Sequence, residues 1–422
     1  MNIRVKIMLC MMMFLNFLVW GLWFVTMGDY LSKGNLGSSG GDVGLAYSTQ
    51  AWGAIIAPFV MGLIADKYFA AQRLLGVLQI CGGIILIVIF NQSQTYSTGD
   101  FGSFFILLLA YMILFMPSLG LTNAVALKQV KDSEKEFGFI RMWGTIGWIV
   151  AGSILGYILY QRFGVDIINS DTRKNDINFT FMMAGIVSIF YGVFCFFLPD
   201  TPPPSKGTSI TVRQILGLDA VALLKNKNYL IFFISSILIC IPLAFYYSFA
   251  GVYLGEINFQ NYASKMSYGQ ISEALFFFIM PWFFKNLKVK KMLFLGMLAW
   301  TIRYIFFSYG DSDHLAWMLY GGIILHGICF DFFFVTGYIY TDQTAGPSIR
   351  ASAQGFITIA TYGLGMLVGF FLSGKVVDYY TITNNNITSH NWKAIWQYPA
   401  VIALIVLLFF SIFFKPKEHR SV

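Results

Sequence analysis

Two carboxylates and one guanidinium sit where a chain has little reason to keep a charge. Asp331 lies near the centre of Tyr320–Tyr340, YGGIILHGICFDFFFVTGYIY, an otherwise apolar segment. Glu273 lies in SYGQISEALFFFIMPWFF, and Arg141 in FIRMWGTIGWIV. On insertion scales a charge at the bilayer centre costs about 2.5–3.5 kcal/mol. A chain that retains one there gives it a partner, a water-filled cavity or a proton to carry.

The neighbours of these groups narrow the chemistry. Arg141, Thr145 and Trp148 are spaced i, i+4, i+7 and share one helix face. Planar donors, a hydroxyl and an indole in line suit a polar, ring-bearing ligand. The alternative is that Arg141, near a helix end, extends its head to the interface. Gln270 and Glu273 are one turn apart. An amide beside a carboxylate suits hydrogen bonds to sugar hydroxyls or base edges, and the carboxylate can accept a proton. The competing reading is a pair buried against another helix. Asp331 is flanked by Phe330, Phe332, Phe333 and Phe334. One or two of these rings could line a pocket, the others packing. An ion pair with Arg303 is the structural alternative for Asp331, although Arg303 is also placed to reach the interface. His326 reads as a packed, hydrogen-bonded core residue.

The elements that carry these residues must cross a membrane. The 422-residue chain is 57% hydrophobic and 11% charged, with a mean hydropathy of +0.67. Soluble domains carry about 25% charged residues. Apolar runs of about 20 residues are the unit that spans a bilayer. They fall at 7–28, 44–65, 72–91, 102–126, 137–160, 179–198, 228–256, 264–284, 290–308, 314–341, 350–373 and 394–414. The sequence therefore predicts an all-α membrane protein of twelve transmembrane helices. The longest polar interval, 199–227, opens with a proline cluster that ends the sixth run. It later contains VRQILGLDAVALL, an amphipathic piece expected along the membrane surface. This divides the chain into a six-helix half over 1–198, a linker over 199–227 and a second six-helix half over 228–422. Twelve spans with a central loop suggest the major facilitator architecture of two pseudo-symmetric halves.

The remaining features bound the function. Lys and Arg concentrate in the loops on the side of the chain termini, as at Lys128, Lys131 and Lys135 and at Lys285, Lys288, Lys290 and Lys291. Cationic loops face the cytoplasm, so both termini are expected there. The same bias accounts for the net charge of +8 without invoking nucleic acid. The first run has no small-residue cleavage site and is expected to remain as a span. Five cysteines in apolar runs read as small core residues. The second run ends Gly62-Leu-Ile-Ala-Asp66-Lys67, with Arg73 beyond. This resembles the major facilitator loop motif G-x-x-x-D-R/K, which would latch one access state by pairing an acid at a helix end with neighbouring cations. No nucleophile–base pair, zinc spacing or phosphate loop is present, so neither an enzyme nor a metal or organic cofactor is expected.

Several phrases resemble the nucleoside:proton symporter family of the major facilitator superfamily. They are R-x-W-G-T-I-G at Arg141–Gly147, L-G-L-D-A-x-A-L-x-K-N-K at Leu216–Lys227, Q-I-S-E at Gln270–Glu273, F-D-F-F at Phe330–Phe333 and I-R-A-S-A-Q-G at Ile349–Gly355. N-F-L-V-W-G-x-W from Asn16 and the run Met116–Asn123 are similar too. The resemblance spans nearly the whole chain, in order. It implies that Arg141, Thr145 and Trp148 face a nucleoside from the first half, and Gln270, Glu273, Phe330 and Asp331 from the second. Glu273 and Asp331 are the carboxylates for ribose contact and proton coupling, with the division between them open. The family pattern is altered at Ala244 and Tyr247, where amides are expected, at Phe334 in place of an Asn, and at Trp148 in place of a Phe.

The expectation is a monomeric, multi-pass carrier of the bacterial inner membrane that imports a nucleoside with protons by alternating access. A sugar or another ribosyl compound on the same fold is the first alternative. A non-transporting membrane sensor or scaffold is the second.

Overall fold

Every backbone amide in hydrocarbon must find its partner within the chain, and a helix of apolar residues meets that demand internally. The computed structural model describes residues 2–33, 36–60, 68–130, 136–163, 177–203, 217–346, 349–384 and 387–416. Within them the twelve predicted runs become helices. These are α1 (Ile3–Ser32), α2 (Gly40–Val60), α3 (Ala71–Ser93), α4 (Phe101–Gln129), α5 (Gly138–Phe163) and α6 (Phe179–Cys195). They continue as α7 (Lys227–Glu256), α8 (Tyr262–Asn286), α9 (Val289–Tyr309), α10 (Ala316–Ala345), α11 (Ser352–Tyr379) and α12 (Trp392–Phe413). The shortest, α6, has 17 residues. The most polar is α8, which carries Lys265, Gln270, Glu273 and Lys285 within 25 residues. Local signals set two of the starts. Asn2 accepts from Arg4 N–H at 3.0 Å to begin α1, and Asn391 accepts from Ala394 N–H at 3.2 Å to begin α12.

The chain forms two compact units. The first comprises Met1–Thr211 with Tyr246–Gln270 and Phe370–Tyr379, and the second Val212–Phe245, Ile271–Gly369 and Tyr380–Val422.

In the first unit α5 lies directly on α1. A Cβ on Gly147 would collide with Phe14 O, so only glycine lets these backbones approach. Gly152 and Gly156, further along α5, face Ser267 and Ser264 of α8 in the same way. A buried polar network ties four helices together. Asn16 Oδ1 accepts from Gln79 Nε2 at 3.1 Å and from Ser118 Oγ at 2.9 Å, while Ser188 Oγ donates to Gln79 Oε1 at 2.7 Å. Polar contacts also draw parts of α8 and α11 into this unit. Tyr262 OH donates to Asp29, and Gly41 N–H donates to Asp378 Oδ2 at 2.8 Å. Beside them Tyr47 OH donates to Phe24 O at 2.7 Å and accepts from Gly28 N–H at 3.2 Å.

In the second unit α9 packs on α12. The Tyr304 and Trp396 rings stack with centroids 5.9 Å apart, and Ser308 Oγ donates to Lys393 O at 2.9 Å. Two single π turns interrupt the helices, at Asp331–Val335 in α10 and Ile359–Gly365 in α11. Such turns are frequent at functional sites, because the extra residue re-aims the side chains around it. A short hairpin not anticipated from sequence, β1 (Thr381–Asn384) and β2 (Ile387–His390), joins α11 to α12, with Thr381 opposite His390.

One expectation changes and another gains detail. The described part of the amphipathic piece forms a 3₁₀ helix over Leu218–Lys225. Gly217, at φ +65°, brings the chain so close to Ser352 O that no Cβ would fit between them. The segment thus docks on the start of α11 and buries Ala220, while 212–216 lie outside the described residues. Four cysteines are buried as expected, but Cys81 is exposed on α3, where a thiol can face lipid without a polar cost.

Replacing Asn16 with Leu removes the shared acceptor and strands two buried donors. We expect a loss of about 1–3 kcal/mol, seen as a lower thermal unfolding midpoint of the purified protein in detergent. An unchanged midpoint would show that the network contributes nothing to stability.

Candidate functional site

The fold gathers the singled-out residues into two sets, one in each unit. In the first unit the close α1–α5 crossing sets the register of the Arg141 face. The Arg141 guanidinium lies over the Phe17 ring, 4.6 Å from its centroid, a favourable cation–π placement. Two turns on, the Trp148 ring meets Trp20 edge-on at 5.3 Å and Phe24 at 6.1 Å. Arg141, Thr145 and Trp148 are all half-buried. Phe17, Trp20, Phe24 and Trp148 form an aromatic wall, which Tyr247 of α7 extends by contacting Phe24 at 5.7 Å. Gln270 ends the segment of α8 that belongs to this unit. Its Oε1 is buried and accepts no hydrogen bond among the described residues. An acceptor left in that condition is costly unless something else satisfies it.

In the second unit α8 carries Glu273 and α10 carries His326, Phe330 and Asp331. The two helices touch tightly. Ser272 Oγ donates to Ile324 O at 2.6 Å, and a Cβ on Gly327 would stand 2.6 Å from Glu273 N. The Glu273 side chain remains 21% exposed, and its Oε2 lies 3.7 Å from His326 Nε2. Asp331 is buried and opens the π turn. Its Oδ2 makes no hydrogen bond among the described residues. Phe330 is half-buried, with its ring 6.0 Å from the His326 imidazole and 5.2 Å from Phe334.

Some alternatives left open by the sequence are now decided. Arg303 does not extend to an interface. It is fully buried, and its Nη1 lies 3.1 Å from His326 Nδ1. His326 is packed and hydrogen-bonded, as its isolation in an apolar run implied. Phe334 stacks on Tyr362 at 5.5 Å and meets Trp300 edge-on at 5.8 Å, so the ring that stands for an amide is an aromatic packing residue. Ala244 packs on Gly369, where a Cβ would approach its own Cβ to 2.6 Å. Of the loop motif, Gly62, Asp66 and Lys67 lie outside the described residues, while Arg73 is exposed in the first turn of α3.

Sequence reasoning did not assign three groups that the structure makes prominent. Trp20 has its Nε1 buried without a hydrogen-bond partner among the described residues, and the N-F-L-V-W-G-x-W phrase was its only signal. Gln50 is wholly buried in α2 with neither amide atom hydrogen-bonded among those residues. Nothing in its surroundings, Tyr-Ser-Thr-Gln-Ala-Trp, set it apart. Arg303 was named as a partner for Asp331 or a residue reaching the interface, because helical spacing on one element cannot reveal a contact on another.

Comparison with known proteins gives the architecture and the family. The putative nucleoside transporter YegT of Escherichia coli is 40% identical over 417 residues, covering 98% of this chain and 94% of YegT. The nucleoside permease NupG of the same organism is 30% identical, covering 99% and 97% of the two chains. A crystal structure of the nucleoside transporter NupG superposes with a TM-score of 0.82 over 99% of this chain and all of that one. The E. coli xylose transporter XylE shares the fold, with a TM-score of 0.69 at 13% identity over 99% and 100% of the two chains. The architecture is that of a twelve-helix major facilitator transporter. With the Nucleoside H+ symporter family model matching residues 1–419, the chain belongs to that family of membrane transporters.

Proposed function

We propose that this protein imports nucleosides together with protons, by alternating access, across a bacterial inner membrane with both termini in the cytoplasm. The observation that carries the reading is the pair of carboxylates on spanning helices of the second unit. Glu273 is partly exposed, and Asp331 is buried with one oxygen free of any hydrogen bond among the described residues. A fold that only needed stability would not keep both, given what a charge costs in hydrocarbon. A carrier that binds a hydroxyl-rich substrate and moves protons has use for both.

In this reading Arg141, Thr145 and Trp148 bind the nucleoside through fork donors, a hydroxyl and a ring face. Gln270 supplies an amide whose acceptor has no hydrogen-bond partner among the described residues. Glu273 and Asp331 contact the ribose and exchange the coupling proton, and Phe330 closes on the ring. Gly62, Asp66, Lys67 and Arg73 form the access-state latch. The carrier works as a monomer in the lipid bilayer, with the proton as its coupling ion and no other cofactor.

A second reading keeps the fold and makes the substrate a sugar. Ala244 and Phe334 favour it, because both are committed to packing and neither can read a base edge.

Proteoliposome uptake of labelled uridine, adenosine, inosine, ribose and xylose, with and without an inward proton gradient, separates the two. Gradient-driven nucleoside accumulation is expected. Accumulation of a sugar with no nucleoside would transfer the conclusion to the second reading.

The two carboxylates divide by substitution. Whichever of Glu273→Gln and Asp331→Asn abolishes uphill uptake while preserving nucleoside exchange holds the proton. Loss of a ribose contact instead raises KM for exchange by about ten- to a hundredfold, the worth of a hydrogen bond to a charged group. Wild-type uphill uptake by both variants would refute a coupling role for either.

A further inference from the structure

Arg303, His326 and Glu273 lie in series across three helices of the second unit. Arg303 on α9 is fully buried, with Nη1 3.1 Å from His326 Nδ1. On the far side of the imidazole, His326 Nε2 lies 3.7 Å from Glu273 Oε2. A guanidinium only donates hydrogen bonds. Facing one, Nδ1 has to present its lone pair, and the ring proton of the neutral imidazole is therefore on Nε2. That N–H points toward the Glu273 carboxylate.

The arrangement is built rather than incidental. Gly327 follows His326 and has no room for a side chain, since a Cβ would stand 2.5 Å from Ser272 Oγ and 2.6 Å from Glu273 N. The Ser272 hydroxyl holds α10 with a 2.6 Å bond to Ile324 O, two residues before the histidine. Arg303 is also braced by the Phe307 ring, 5.7 Å from its guanidinium carbon.

We infer that His326, locked in the Nε2–H tautomer by Arg303, is a positioning residue that aims Glu273 and is not itself the proton carrier. The imidazole thus stands between the buried cation of Arg303 and the Glu273 carboxylate, with one nitrogen toward each. Of the ionisable groups on the facing elements, Arg303 on α9 and His326 on α10 form this arm, Asp331 on α10 acts on Glu273 through its charge, and the Cys329 thiol on α10 meets Arg303. Protonating His326 on Nδ1 would break its contact with Arg303 and set two cations side by side, so the coupling proton passes through a carboxylate. The inference rests on Glu273 being a substrate and proton site, as proposed above.

Two amide replacements read the geometry. The amide nitrogen of Gln reaches the place of Nε2, whereas that of Asn reaches only the place of Nδ1. His326→Gln is expected to retain uphill nucleoside uptake with KM within about threefold of wild type. His326→Asn is expected to raise KM several-fold, up to about tenfold, through loss of the 3.7 Å polar contact that orients Glu273. Equal effects of the two replacements would reduce His326 to a packing residue and overturn the inference. Loss of accumulation with intact exchange in the Gln variant would make His326 the proton carrier and overturn it as well.

A second measurement needs no substrate and leaves His326 itself unchanged. Nitrogen NMR of ¹⁵N-histidine in the protein with His314, His390 and His419 replaced should show a neutral His326 protonated on Nε2 at neutral pH. A proton on Nδ1 at neutral pH would refute the lock. Because this readout is independent of transport, a tautomer as expected in a protein that carries no nucleoside would leave the lock standing and remove the substrate reading alone.

Discussion

Hydrocarbon offers no hydrogen-bond partner, and most of this molecule follows from that. It makes helices of the backbone, and it makes each buried polar side chain either a cross-link or a site. Asn16, Gln79, Ser118 and Ser188 hydrogen-bond to one another and tie four helices of the first unit together. Gln270 Oε1 and Asp331 Oδ2 lack a hydrogen-bond partner within the described chain, and both fall among the residues proposed to hold a ligand.

Glycine controls how closely the scaffold brings these groups. Gly147 seats α5 on α1, which places Arg141 against Phe17 and Trp148 against Trp20. Gly327 seats α10 on α8, which places His326 opposite Glu273. In both units the residue that permits the contact is close in sequence to the residue that uses it. Lipid tails are as apolar as the helices themselves, so close backbone approach and specific polar contacts replace the hydrophobic effect as the basis of helix association.

The aromatic residues divide along the same line. Trp148, Trp20 and Phe24 form a wall in the first unit, whereas Phe333, Phe334, Trp300 and Tyr362 pack together in the second. Phe334 lies close to Asp331 in sequence and still serves packing, within the π turn that begins at Asp331.

The number and type of elements were legible in the sequence, because a bilayer-length apolar run has one backbone solution in hydrocarbon and each run can be judged alone. The intramembrane charges were legible for the same reason, as were the shared face of Arg141, Thr145 and Trp148 and the family phrases around them. What lay beyond the sequence were relations between elements. Arg303 turning to His326, Tyr262 bonding to Asp29, and Gly217 docking on Ser352 each join residues on different segments. The π turn at Asp331 was also invisible, because a one-residue widening of a helix leaves the apolar pattern unchanged. Periodicity reports which face a residue occupies on its own helix. Only tertiary packing decides which atoms that face meets, and so which buried polar group gains a partner on another helix.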